Sequence, residues 1–280
     1  METAIQVRDL KKVYHVGQNS IAALDGIDLE IQRGEFVCIV GRSGSGKSTL
    51  LNMMAGLERP SKGGVVIAGK HIEKLSEAQL VRFRLEHVGF IFQSFNLFPA
   101  LTAEENVAVP LTYRGIGRRK RLKQSREMLT QVGLQTHLKH RPTQMSGGQQ
   151  QRVGIARALV ANPAIIFADE PTGNLDSKTS AEVLDLMRSV VGAKGHTLVL
   201  VTHDPEVARW GDRVVHILDG RITSIEVNPR PGAGEETPPD AVPPEQLKQT
   251  QGCTADRAVE AIRGIENAEN GAEASRGNQT

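Results

Sequence analysis

Apolar residues in this chain run in short segments, alternating with polar ones or unbroken, and glycine-rich stretches separate them. The runs at 6–7 and 27–31 predict short strands, and 35–40 is continuous, β-branched and aromatic, as a strand buried on both faces is. Residues 47–55 read as a helix that stops at Gly56, a residue suited to the position just past a helix end. Strands are predicted at 65–68 and 88–92, and Ser76 with Gln79 forms a capping box for a helix through residue 84. From 94 to 145 the strand signal fades. Helices are predicted there at 102–109, opened by a second capping box of Thr102 and Glu105, and at 118–132. A helix at 147–161, a strand at 164–168, a helix at 177–191 and a strand at 197–202 follow. Residues 214–218 and 221–225 read as a hairpin turning on Asp219 and Gly220. This alternation predicts an α/β fold with a largely parallel, three-layer sheet and a helical insertion over 94–145.

The last fifty residues differ in kind. A proline-rich stretch from 229 to 244 leads into a polar segment with no core pattern, expected to be a disordered tail, with Val259, Ile262 and Ile265 marking at most one weak helix. Nine acidic and four basic side chains in 231–280 give that segment a net charge of −5, which leaves +7 on residues 1–230. A mildly basic body suits polyanionic ligands, nucleotides among them, without separating these from nucleic acid or a membrane surface. Two cysteines give no disulfide framework: Cys38 reads as a small core residue and Cys253 as an inert tail residue. The N-terminus lacks the pattern of a signal peptide, and no segment approaches the roughly 20 apolar residues that span a bilayer. The expectation is a cytoplasmic protein whose membrane role, if it has one, comes through a partner.

The chemistry begins after the strand at 35–40. Gly41, Arg42, Ser43, Gly44, Ser45, Gly46, Lys47 and Ser48 match G-x-x-x-x-G-K-[ST] in full, between a strand and a helix. Such a loop turns backbone N–H groups inward around an anion and adds the positive end of the helix dipole. Lys47 is expected to reach the β- and γ-phosphates and Ser48 to ligate Mg²⁺, with Thr49 beside it. The strand at 164–168 runs into Asp169 and Glu170. Asp169 at the strand tip suits Mg²⁺ held through water, and Glu170, one residue on, suits a general base acting on the attacking water.

Between them stands Met145-Ser146-Gly147-Gly148-Gln149, just before a helix. This segment resembles the signature of ABC ATPases, usually LSGGQ, and the order phosphate loop, signature, acid pair makes the resemblance specific. It covers nearly all of residues 1–228 and implies a P-loop NTPase fold of ABC type: a RecA-like, mostly parallel three-layer core, an antiparallel β subdomain and a helical subdomain at about 94–145. It also implies ATP and Mg²⁺ as ligands and a head-to-tail homodimer. In that dimer Ser146, Gly148 and Gln149 touch the nucleotide held by the partner's phosphate loop, and Gly147 and Asp176 share the interface. Gln93 matches the Q-loop glutamine that senses Mg²⁺ and water. His203 matches the switch histidine that contacts the γ-phosphate and orients Glu170. Tyr14 matches the aromatic that stacks on adenine, although core packing explains an aromatic at that place as well.

Residues 92–107 and 169–177 are similar to the ATPase subunits of macrolide export, lipoprotein release and cell division. The resemblance implies an integral-membrane permease and no nucleic acid partner; some macrolide exporters fuse the two parts, and with a polar tail here in place of a membrane domain the permease is expected to be a separate chain. It leaves open an ATP-driven regulatory switch of the cell-division type that transports nothing. Phe95, Leu97, Phe98 and Leu101 fit either a docking groove for that permease or internal packing. The cluster Arg114, Arg118, Arg119, Lys120, Arg121, Lys123 and Arg126 fits either lipid headgroups or a solvated helix face.

Overall fold

Thr3–Val16 (β1) and Asn19–Gln32 (β2) pair antiparallel as strands of 14 residues each, much longer than the short runs the apolar pattern predicts. Charge explains the difference. Arg8 meets Glu30 across the ribbon and Lys11 lies 3.0 Å from Asp25, so cross-strand ion pairs stand where an alternating apolar signal would otherwise be. Lys62–Ile67 (β4) and Lys70–His71 (β5) complete an antiparallel sheet in the order β2-β1-β4-β5. The computed structural model describes residues 2–17, 19–193 and 195–228. The proline-rich stretch from 229 onwards, Cys253 and the weak helix expected at 259–265 lie outside them.

The second sheet begins with Phe36–Val40 (β3), followed by Lys47–Met54 (α1), Glu77–His87 (α2) and Val88–Phe92 (β6). Ala103–Tyr113 (α3) and Arg118–Gln131 (α4) form the helical insertion. Gly147–Leu159 (α5), Ile165–Asp169 (β7), Ser177–Ala193 (α6) and Thr197–Thr202 (β8) restore the alternation. Pro205–Ala208 (α7), Arg213–Leu218 (β9) and Arg221–Val227 (β10) close the described chain. The short α7 carries no apolar pattern; its signal is Asp204, whose side chain accepts from Glu206 N–H, followed by a proline at the first helical position. Strand order is β10-β9-β3-β8-β7-β6, parallel throughout except for β10.

Period-two alternation along the central strands feeds two cores. Phe36, Cys38 and Val40 join Ile166, Ala168, Leu198 and Leu200 on the face covered by α3 to α7. Val37 and Ile39 join Phe167, Val199 and Val201 on the face covered by α1 and the antiparallel sheet. Burial on this scale pushes the Cys38 thiol up to about 12, so it packs as a small apolar side chain.

Register then sets the site. Val40 pairs with Thr202, Asp169 with Val201, and Phe92 with Asp169. The strands are parallel and in line, so the next residue of each chain leaves the sheet at the same edge: Gly41, His203, Glu170 and Gln93. Four residues far apart in sequence are thereby delivered to one row, at the carboxyl ends where open α/β sheets bind ligands.

In the insertion, α3 continues past Pro110 to Tyr113, one turn beyond the predicted end, because Leu111 is buried in the first core. Glu104, 2% exposed, is held by Arg126 at 2.6 Å and by Lys139. Burial alone would push its carboxyl up, and these two cations outweigh that and hold it below the usual range. Ala103 N–H donates to His140 O and Glu104 N–H to Leu138 O, which ties the start of α3 to the segment preceding the signature.

Candidate active site at the sheet edge

The phosphate loop joins β3 to α1. Gly46 caps α1 at φ 101°, and a Cβ there would stand 2.4 Å from Ala23 O, so only glycine fits. Lys47, the first residue of α1, is 6% exposed and donates to Arg42 O at 2.8 Å across the mouth of the loop. Burial lowers its pKa, and the carboxylates of Glu170 and Asp169 pull it part of the way back. Ser45 Oγ is buried without a hydrogen-bond partner among the described residues, a donor matched to an oxyanion in the loop.

Ser48 Oγ donates to Asp169 Oδ1 at 3.2 Å. Burial raises the Asp169 pKa against the lowering effects of Ser48 and Lys47, so a cation beside this carboxylate would offset its desolvation. A hydroxyl and a carboxylate are the hard oxygen ligands Mg²⁺ takes. No cluster of three or more His, Cys, Asp or Glu exists among the described residues to make an all-protein cage. The pair therefore fits Mg²⁺ held jointly with phosphates and water.

Glu170 turns the chain the other way. It is a non-glycine residue at φ 44°, a left-handed conformation costing about 1–2 kcal/mol. Its N–H donates to Val201 O at 2.9 Å and its carbonyl accepts from Gly173 N–H at 3.1 Å, which hold the turn. The turn swings the side chain to His203, whose Nδ1 donates to Glu170 Oε2 at 2.9 Å. Neighbouring carboxylates thus face separate tasks, Asp169 toward the phosphate loop and Glu170 toward His203. The latter two stand in the wall of a cleft of about 530 Å³ that runs on to Trp210. Gln93 lies on the loop after Glu170: a Cβ at Gly173 would come within 2.6 Å of its amide nitrogen, and Asn174 Nδ2 donates to Gln93 O.

At the signature, Ser146 and Gln149 form a complete capping box on α5, with Met145 buried beneath it. Gly148 passes so close to α6 that a Cβ would meet Thr179 Cγ2 at 2.5 Å. Thr179 in turn donates to both carboxylate oxygens of Asp176, at 3.0 and 2.6 Å, and these bonds lower the Asp176 pKa. Asp176 is therefore the cap of α6, and the starts of α5 and α6 stand side by side. Tyr14 is half-buried next to α1, its hydroxyl donating to Glu58 at 2.7 Å and in reach of Thr49, with Lys12 Nζ 5.0 Å from the ring centre.

Four side chains without a role in the sequence reading organise this site. Arg157 donates to Phe95 O at 2.7 Å and also to Asn96 O, holding two non-glycine residues at φ 58° and 49°. Asn106, fully buried, bonds Phe98, Leu101 and Thr102 backbone groups. Gln151 donates to Pro171 O at 2.6 Å and ties α5 to the loop after Glu170. His137 meets Gln149. Of the apolar residues of this loop, Leu97 packs on the core, whereas Phe98 is 49% exposed and lines a groove with Leu101, Tyr113 and Arg118. In the basic cluster, Arg114 clamps Leu85 O and Ala161 O and Arg126 holds Glu104, while Arg118, Arg119, Lys120 and Lys123 are exposed.

A family model described as ABC transporter matches residues 24–173, more than half of the chain. An uncharacterised ABC transporter ATP-binding protein of Thermotoga maritima is 48% identical over 226 residues, 81% of this chain and 96% of that one. The macrolide export ATP-binding/permease protein MacB of Marinobacter nauticus is 47% identical over 78% of this chain, which spans only 34% of its length. Among solved structures, a dimeric post-hydrolysis state of the ATP-binding cassette MJ0796 bound to ADP and Pi matches with a TM-score of 0.74 at 43% identity. That match covers 80% of this chain and 98% of the other.

Proposed function

The chain belongs to the ABC transporter family as an ATP-binding and ATP-hydrolysing subunit of the MacB and lipoprotein-release type, and from that premise we propose that two copies close head-to-tail on ATP beneath a separate membrane permease. The observation that carries the reading is the divided acid pair, with Ser48 on Asp169 at 3.2 Å and His203 on Glu170 at 2.9 Å. The phosphate loop and Lys47 hold the β- and γ-phosphates. Ser48 and Asp169 would hold Mg²⁺, which when bound neutralises phosphate charge; Gln93 stands by as its sensor. Glu170 accepts the proton of the attacking water while His203 fixes the carboxylate's orientation. Ser146, Gly148 and Gln149 face the γ-phosphate of the partner's nucleotide, Gly147 and Asp176 at the start of α6 share the interface beside them, and Tyr14 supports the adenine. The ATPase domain is residues 1–228 with its helical subdomain at 94–145, and 229–280 is an appended tail. On this reading the subunit sits on the cytoplasmic face of the membrane through its permease; no described helix is long and apolar enough to cross a bilayer.

Two experiments test this. In a two-fold pairing each site takes its loop from one copy and its signature from the other. Mixing Lys47→Ala with Ser146→Arg, each inactive alone, should restore activity to about a quarter of wild type, one intact site in half of the dimers. No recovery, with both variants folded, removes the shared-site dimer. Detergent extracts from cells carrying the tagged chain should yield one integral membrane protein in stoichiometric amount, and purification of the chain alone removes the separate permease.

A further inference from the structure

The side chain of Gln149 is held at both ends. Its Oε1 accepts from Ser146 N–H at 3.0 Å, closing the capping box. A backbone N–H only donates, so this bond fixes which way the amide points and leaves Nε2 facing His137 Nε2 at 3.1 Å. The amide nitrogen donates, so His137 Nε2 must be the acceptor. The ring proton then sits on Nδ1, which finds Thr136 Oγ1 at 2.9 Å. One N–H of the Gln149 amide is left over, without a partner among the described residues.

His137 also stands on a fixed base. The segment carrying it is tied to the start of α3 through Leu138 O, His140 O and the Lys139–Glu104 pair. The helix cap is already complete without His137, so its bond adds nothing the cap requires. What it adds is an orientation for the remaining amide N–H.

We propose that His137 is a positioning residue: in its neutral Nδ1–H form it holds the amide of Gln149 so that the free N–H is presented to the partner's nucleotide. This deepens the signature reading above and rests on it. A donor in place of Nε2 would set donor against donor and release the amide. His140 packs against the ring, with centroids 4.9 Å apart.

The test uses the full chain and reads ATPase kcat and KM separately, with Tm as the folding control. His137→Gln keeps an acceptor at this place, and His137→Lys puts a donor there. His137→Lys should lose about 2- to 12-fold in kcat/KM, the range of one net hydrogen bond. His137→Gln should match wild type, because its amide oxygen accepts as the imidazole nitrogen does. Equal behaviour of the two variants at matched Tm overturns the inference. Gln149→Ala separates the two levels: a defect in it alongside silent His137 variants removes only the role of His137. Wild-type activity in Gln149→Ala removes the signature reading and the inference together.

Discussion

Glu170→Gln should bind ATP at least as well as wild type and hydrolyse it about 10²- to 10⁴-fold more slowly, the contribution of a positioned general base. The amide fills the same space and its oxygen still accepts from His203 Nδ1, so the geometry at 2.9 Å survives. What disappears is the ability to take a proton from water. The left-handed turn at φ 44° is kept as well, and Tm without nucleotide should hardly change. Binding should tighten rather than weaken, because the substitution removes a negative charge that raises the Asp169 pKa and stands near the incoming γ-phosphate. A dimer formed on ATP would then persist, as a species of doubled mass on size-exclusion chromatography with ATP present. Wild-type turnover by a folded variant removes Glu170 as the base. Lost turnover together with lost binding assigns it to substrate binding instead.

How legible this site was in the sequence depended on how local each signal is. The phosphate loop and the signature are contiguous, and their glycines and caps state their geometry within eight residues. The row formed by Gly41, His203, Glu170 and Gln93 follows from four strand ends, which the apolar runs also mark. Its alignment is a property of strand register, and that appears only when Val40, Thr202, Asp169 and Phe92 are seen paired. Arg157 and Asn106 are invisible in the sequence because their partners are backbone groups, the carbonyls at positions 95–96 for Arg157, some 61 residues away, and both carbonyls and an N–H for Asn106. No side-chain pattern encodes a backbone group. The long strands β1 and β2 look shorter in the sequence for a related reason. Cross-strand pairs such as Lys11 with Asp25 stabilise a strand as apolar alternation does, but along the chain they look like loop. Asp176 shows a different limit: its place in the motif order points to an interface, and the motif does not reveal that both its oxygens also accept from Thr179 in its own subunit.

Lys47→Ala should weaken ATP binding by about 10- to 150-fold, the equivalent of roughly 1.5–3 kcal/mol for hydrogen bonds from a charged donor. The lysine stands at the first position of α1, buried to 6% exposure, with its ammonium on Arg42 O. Burial disfavours its charge, and Glu170 and Asp169 only partly compensate. A cation so placed gains most from an anionic ligand that completes its neutralisation. The loss should therefore depend on the phosphate chain: large for ATP, smaller for ADP, and absent for AMP, which carries neither phosphate the lysine reaches. Calorimetric titration of the three nucleotides against wild type and variant measures this gradient, with Tm as the control for folding. An equal loss for AMP would mean that the substitution had collapsed the loop rather than removed a contact. Unchanged ATP affinity in a folded variant would take Lys47 out of the phosphate site, leaving Ser45 and the backbone N–H groups of 41–48 to hold the anion alone.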